Sequence, residues 1–246
     1  MVEAGTWRDD LRVLWHMAKG RRRTASHAEA LDAFYGPQAH AYDRFRERLL
    51  PGREPLMRAL VLRPGLRVLD LGAGTGRHWE YVAEQLPGLA RLELVDLCTP
   101  LLAVARRRFA DRPNVVFTVH DATRVPVAEP VDLVVLSYSL SMMPDWRAVL
   151  AHAWRCLRPG GRLAIVDFYT LPSSPPAGFA PLGGWDRWLW PRWFAHDGVW
   201  LRPEVAGTLL ALGGRTVALR QQRDRVPYLA GLKAPWFFWI GEKPAA

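Results

Sequence analysis

RVLDLGAGTGRHWEYVAEQL, residues 67–86, runs from an apolar segment holding the acid Asp70 into three glycines, Gly72, Gly74 and Gly76, and then into a helical pattern. Glycine has no Cβ, so such a loop permits tight turns and lets backbone approach a ligand closely. The pattern predicts a strand over 66–71 and a helix over 76–86, whose first free N–H groups face the loop. That geometry suits a polar or negatively charged ligand group. The glycines stand at first, third and fifth positions, whereas a dinucleotide loop has them at first, third and sixth.

Downstream the chain alternates strand and helix. Strands are predicted over 91–97, 114–121, 131–139 and 161–168, and helices over 99–110 and 145–157. Trp146, Val149, Leu150, Ala153, Trp154 and Leu157 form one stripe of the last helix. Strands separated by helices imply a parallel sheet with both faces covered. A proline- and tryptophan-rich stretch over 171–202, with Trp185, Trp188, Trp190, Trp193 and Trp200, reads as a lid-like insertion. A helix over 203–212, a strand near 214–221 and a closing strand in PWFFWIGEK follow. Upstream, Trp7, Leu11, Leu14, Trp15 and Ala18 predict a basic amphipathic helix, and 27–62 reads as short helices. No repeat is present, so one domain is expected over 1–246. It comprises a helical cap (1–62), a binding core (63–170), the insertion (171–202), and a C-terminal helix and strand pair (203–246).

The acids narrow the ligand. Asp70, two residues before the first glycine, would repel a pyrophosphate but suits a cationic amino group. Asp96 ends the second strand, where a carboxylate accepts both ribose hydroxyls. Asp121 ends the third, where it accepts from an adenine amino group. An ammonium, a ribose and an adenine with no obligatory pyrophosphate describe S-adenosyl-L-methionine. The residues expected to hold it are Asp70, Gly72, Ala73, Gly74, Gly76, Asp96, Leu97, Asp121, Ala122 and Ser137.

Together with LRPGG (157–161), these features over roughly residues 60–170 resemble the class I S-adenosylmethionine-dependent methyltransferases. The resemblance implies an α/β, Rossmann-like fold: a seven-stranded, mostly parallel sheet with helices on both faces, here with an N-terminal helical extension. It also implies S-adenosyl-L-homocysteine as product. FYGPQAHAYDRFRERLLPGREPLM (34–57), GTGRHWE (74–80), VDLCTPLLAVARRR (95–108) and WFAHDGVWL (193–201) resemble the betaine-lipid, or diacylglyceryl-homoserine, N-methyltransferases. That implies successive methylation of the amine of a lipid with an amino-acid headgroup, giving diacylglyceryl-trimethylhomoserine. The headgroup-forming enzyme of the same pathway is then a partner.

In such a reaction the cofactor carries the leaving group, and the protein positions and desolvates. No metal is expected. The amine must lose its proton, to a Tyr, a His or a water chain. Cationic intermediates suit aromatic faces. Tyr35, Tyr42, Tyr138 and Tyr169 are the candidates for such a cage, with His120 and His196 as proton carriers and Arg46 as a carboxylate partner.

Composition sets the remaining bounds. Half of the 246 residues are hydrophobic, and no apolar run is long enough to span a membrane. The N-terminus lacks the basic-then-apolar pattern of a signal peptide, and Cys98 and Cys156 show neither metal nor disulfide spacing. A cytoplasmic protein is expected. The net charge of +9 is carried almost wholly by Arg, which with the tryptophans suits peripheral contact with anionic membrane. Nucleic acid is not expected as a partner, because SYSL (137–140) stands where amino methyltransferases of nucleic acids carry an Asn/Asp-Pro-Pro-aromatic motif. Two alternatives remain: a methyltransferase for a quinone or other small hydrophobic acceptor, and a non-catalytic cofactor- or membrane-binding protein.

Overall fold

Apolar runs such as VDLVVLS and PWFFWIG have no polar face, so as strands they must be covered on both sides. In the computed structural model, which describes residues 49–227, 229 and 231–245, they are. The strands are β1 (Arg67–Leu71), β2 (Arg91–Asp96), β3 (Val115–Val119), β4 (Val131–Ser137), β5 (Leu157–Phe168), β6 (Arg215–Arg225) and β7 (Lys233–Glu242). They form one sheet in the order β3-β2-β1-β4-β5-β7-β6. All pairings are parallel except those of β7, which runs antiparallel to both β5 and β6.

Alternation along the strands divides the core into two layers. Val68, Leu133, Val135, Ala164, Val166, Trp236 and Phe238 face one layer with Leu56, Trp79, Phe109 and Phe194. Leu69, Val134, Leu136, Leu163, Ile165, Phe237 and Trp239 face the other with Trp146, Leu150, Ala153 and Leu209. The first layer is thus closed by helices α1 (Arg53–Ala59), α2 (Thr99–Arg108) and α4 (Gly184–Ala195). The second is closed by α3 (Trp146–Cys156) and α5 (Val205–Leu210). The Rossmann-like architecture expected from the strand–helix alternation is present.

Three local expectations are corrected. No α-helix occupies 76–86; a 3-10 helix covers Arg77–Val82 and a second covers Leu86–Gly88. Two side chains of the first turn, His78 and Trp79, are drawn back to Asp70, and Pro87 has no N–H with which to extend an α-helix. β5 begins at Leu157, four residues before the expected start at 161, so LRPGG is part of that strand. The 171–202 stretch contains a true helix, α4, which packs Trp190 and Phe194 into the core. The N-terminal helices, Tyr35, Tyr42 and Arg46 lie outside the described residues.

Ile165 sits in the central strand pair, is fully buried and is paired on both sides. Ile165→Ala is expected to lower unfolding stability by about 2–5 kcal/mol, read as a fall in the urea midpoint at unchanged slope.

Candidate functional site

At the carboxyl ends of β1, β2 and β4 the chain leaves a cleft of about 220 Å³. This is where an open α/β sheet reverses strand order and binds ligands. Its floor is the glycine loop. The N–H groups of Gly72 and Ala73 both donate to Val95 O, at 2.8 and 3.0 Å, which ties the loop to β2. Gly72 has φ +75°, and a Cβ there would stand 2.5 Å from Ser139 Cβ. Any side chain at 72 would therefore strain the backbone and collide with the loop after β4. Gly76 serves a different purpose: it does not line the cleft, and a Cβ there would meet Phe109 at 2.9 Å and Leu94 at 3.0 Å.

Asp96 is the brace of the site. One carboxylate oxygen accepts from Gly74 N–H at 2.7 Å and the other from Cys98 N–H at 2.8 Å. Burial pushes this acid up to about 6, against the pull of those two hydrogen bonds and with the push of the nearby Asp70 charge. A carboxylate has about four lone-pair sites, so acceptor capacity remains for ribose hydroxyls. Asp121 lines the same cleft and accepts from the backbone and hydroxyl of Thr123 at 2.9 and 2.8 Å. Burial, the largest single influence, pushes its pKa up, but the Thr123 hydrogen bonds, with Arg124 and His120, outweigh it and hold the pKa below the ordinary carboxylate range.

Asp70 is placed otherwise than expected. It is fully buried beneath the loop and does not open directly onto the cleft. One of its oxygens lies 2.8 Å from His78 Nε2 and accepts from Trp79 Nε1 at 2.8 Å. The other oxygen, and His78 Nδ1, are buried without a hydrogen-bond partner. His78, unlike Asp70, reaches the cleft wall. Orphaned polar atoms of this kind cost free energy unless something satisfies them. A bound group carrying donors fits that need, and the Gly72 cradle fits a ligand held against bare backbone.

Of the residues expected to hold the cofactor, Gly72, Ala73, Gly74, Asp96, Leu97, Asp121, Ala122 and Ser137 converge on the cleft. Of the four tyrosines expected to form an aromatic cage, Tyr35 and Tyr42 lie outside the described residues, and of the other two only Tyr138 lines the cleft. Tyr138 lines the cleft, in a left-handed conformation with φ 53°, and its hydroxyl donates to Pro51 O. Burial, first, and the Asp167 charge raise its hydroxyl well above the usual tyrosine value, so it is a poor proton acceptor. Tyr169 lies on the opposite layer of the sheet, edge-on to Phe237 and accepting from Gln221. β-strand alternation explains this: successive residues at the end of β5 point to opposite faces, so Phe168 and Tyr169 cannot both face Tyr138. His196 is an exposed residue at the C-terminal end of α4, away from the cleft. His120 does line the cleft, on the Asp121 side.

Several lining residues carried no signal of their own in the sequence. Arg53 comes from α1; its Nε donates to Ser137 Oγ at 3.1 Å and its guanidinium lies 5.8 Å from the Tyr138 ring centre. Ser139 holds the loop after β4 by donating to Leu71 O at 2.8 Å. Met142 and Met143 add an apolar wall. The methionines follow a strand at its carboxyl end, a placement that was a usable signal.

The sheet order and the glycine loop at the carboxyl edge are those of the class I methyltransferase fold, a Rossmann-like architecture. More particularly, residues 68–161 match the family model described as a methyltransferase domain. A demethylmenaquinone methyltransferase of Beutenbergia cavernae is 37% identical over 143 residues, covering 56% of this chain and 57% of its own length. The chain thus spans little more than half the length of that curated relative. Among solved structures, the [4+2]-cyclase SpnF superposes with a TM-score of 0.67 at 16% identity, covering 90% of this chain and 98% of that one. Phosphoethanolamine N-methyltransferase 2 of Haemonchus contortus, in complex with phosphomonomethylethanolamine and S-adenosylhomocysteine, gives 0.67 at 18% identity, covering 90% and 61%. Likenesses at that identity speak for the fold.

Asp96 supplies a pH test with a definite sign. Its folded value lies above its unfolded one, so the folded state binds the extra proton and stability from this group falls as pH rises from about 4 to about 6. Cofactor affinity runs the other way, because only the ionised carboxylate is an acceptor at every lone pair. Calorimetric titration with S-adenosylhomocysteine is expected to show weaker binding at pH 5 than at pH 7.5, and Asp96→Asn is expected to bind weakly at both.

Proposed function

We propose that the protein methylates a small hydrophobic acceptor carrying a phenol or enol oxygen, of the quinol type, at carbon or oxygen. The observation that carries this reading is Arg53. Its guanidinium stands beside Tyr138 and Ser137, on the acceptor side of the cleft, with Met142 and Met143. A fixed cation at that place favours a developing phenolate over a trialkylammonium, which supports this reading over an amine cage. The kinship to a demethylmenaquinone methyltransferase supports the same direction.

S-adenosylmethionine supplies, when bound, an electrophilic methyl whose departure leaves a neutral thioether. The remaining work is this chain's own. Asp96 and Asp121 would hold the nucleoside, with Leu97 and Ala122 lining the same part of the cleft. The loop of Gly72, Ala73 and Gly74 lets backbone close on the chain bearing the sulfonium. Ser137 orients Arg53, and Arg53 would hold the acceptor oxygen as its anion, the proton having passed to solvent as the acceptor enters the cleft. The methionine wall excludes water, which prevents unproductive hydrolysis. Methylation of a diacylglyceryl-homoserine amine is the second reading; the four betaine-lipid-like segments named above favour it, and the placement of Arg53, Tyr169 and His196 weighs against it.

The test uses labelled S-adenosylmethionine with a demethylated naphthoquinol and, separately, with diacylglyceryl-homoserine. Label is expected in the quinol and not in the lipid; the reverse outcome sinks the proposal. Arg53→Met is expected to lower kcat/KM for the quinol about tenfold to hundredfold while S-adenosylhomocysteine binding changes little.

A further inference from the structure

Helix α4 is apolar on both sides. At 3.6 residues per turn, Asp186, Trp190 and Phe194 fall on one face and Trp185, Trp188, Arg192 and Trp193 on the other. The first face is buried. Phe194 stacks on Phe168 at 4.3 Å, and Trp190 Nε1 donates to Asp186, which pairs with Arg223. The second face is open: Trp185, Trp188 and Trp193 are 64%, 50% and 45% exposed, and Trp200 just beyond the helix is 52% exposed. A helix apolar all round belongs in an interior, so a half-solvated one has an unmet surface.

The chemistry of that surface is specific. Its large side chains are indoles, which prefer the headgroup level of a membrane to either water or hydrocarbon. Its helix-borne charge is basic: Arg192 is exposed, and its guanidinium lies 5.0 Å from the Trp188 ring centre. The one acid of the helix, Asp186, is turned inward and paired. Trp185 and Trp188 lie ring to ring at 5.3 Å, forming a continuous aromatic patch. The whole chain carries +9, which adds attraction to an anionic surface.

The patch also joins the cleft. Trp200 N–H donates to Ser141 O at 2.8 Å, and Arg202 donates to Met143 O at 3.1 Å. The segment following α4 therefore holds the loop that carries the methionine wall. Phe194, Phe168 and Tyr138 run as touching rings from the buried side of α4 to the cleft itself.

We propose that the outer face of α4, with Trp185, Trp188, Arg192, Trp193 and Trp200, docks the protein on an anionic lipid bilayer and sets the acceptor side of the cleft next to the headgroup region. This face is independent of which acceptor is methylated, and its test reads lipid binding rather than turnover.

The full chain is floated with vesicles of phosphatidylcholine alone and of phosphatidylcholine with phosphatidylglycerol, at low and high salt. Flotation with the anionic vesicles at low salt is expected, with tryptophan emission quenched when brominated lipids are used. The triple variant Trp185→Ser, Trp188→Ser, Trp193→Ser is expected to lose flotation at an unchanged melting temperature and unchanged S-adenosylhomocysteine affinity. Arg192→Glu, which leaves the core intact, is expected to lower partitioning about tenfold. Wild-type protein that stays unbound on anionic vesicles overturns the proposal. So does equal flotation of wild type and both variants. A fall in molecular mass of the triple variant in lipid-free solution also overturns it, because the face then belongs to a second copy of the chain.

Discussion

One carboxylate governs the geometry of the cleft. Asp96 receives the N–H of Gly74 from the loop after β1 and the N–H of Cys98 from its own strand end, and so joins two adjacent crossovers at the point where a ligand must enter. Two further N–H groups of the loop are spent on Val95 O. The loop is thus pre-shaped, with its backbone bent into a left-handed turn at Gly72 and its underside held by His78 and Trp79 on Asp70. Desolvation pushes the Asp96 pKa up to about 6, and shifts of this kind cluster at functional sites.

The acceptor side follows another logic. Tyr138 is the one non-glycine residue with positive φ among those described, and it stands where β4 gives way to the cleft. Strain of that kind persists where surrounding contacts over-determine it. Here they do: the Tyr138 N–H donates to Val166 O, its hydroxyl to Pro51 O, and its ring meets Phe168. The consequence is a ring fixed beside the Arg53 guanidinium, which lies 5.8 Å from its centre. Asp167 anchors the neighbouring loop from behind, accepting the backbone and hydroxyl of Ser141 at 2.9 and 2.7 Å.

Much of this was legible in the residues alone. Five parallel strands and the order of acids at their ends follow from local pattern, because burial on both faces demands uninterrupted apolar runs and a glycine loop can sit only where backbone must approach closely. Gly72, Gly74, Asp96 and Asp121 come together at one cleft, as that pattern leads one to expect. The failures share a cause. The helix expected after Gly76 ignored the demand of a buried Asp70 for donors, which His78 and Trp79 meet at the expense of α-helical geometry. Tyr169 and His196 were chosen for their chemistry, and sequence order does not say which side of a strand end or helix end they occupy.

By itself the sequence determined the layered sheet, the glycine loop and the acids Asp96 and Asp121 at the strand ends, since the alternation of apolar runs and loops is a local pattern. Only the tertiary structure decided the character of the acceptor side. Arg53 meets Ser137 across 84 residues of chain, and Ser139 meets Leu71 across 68. Contacts of that span depend on how β1, β4 and α1 pack together, which no local periodicity encodes.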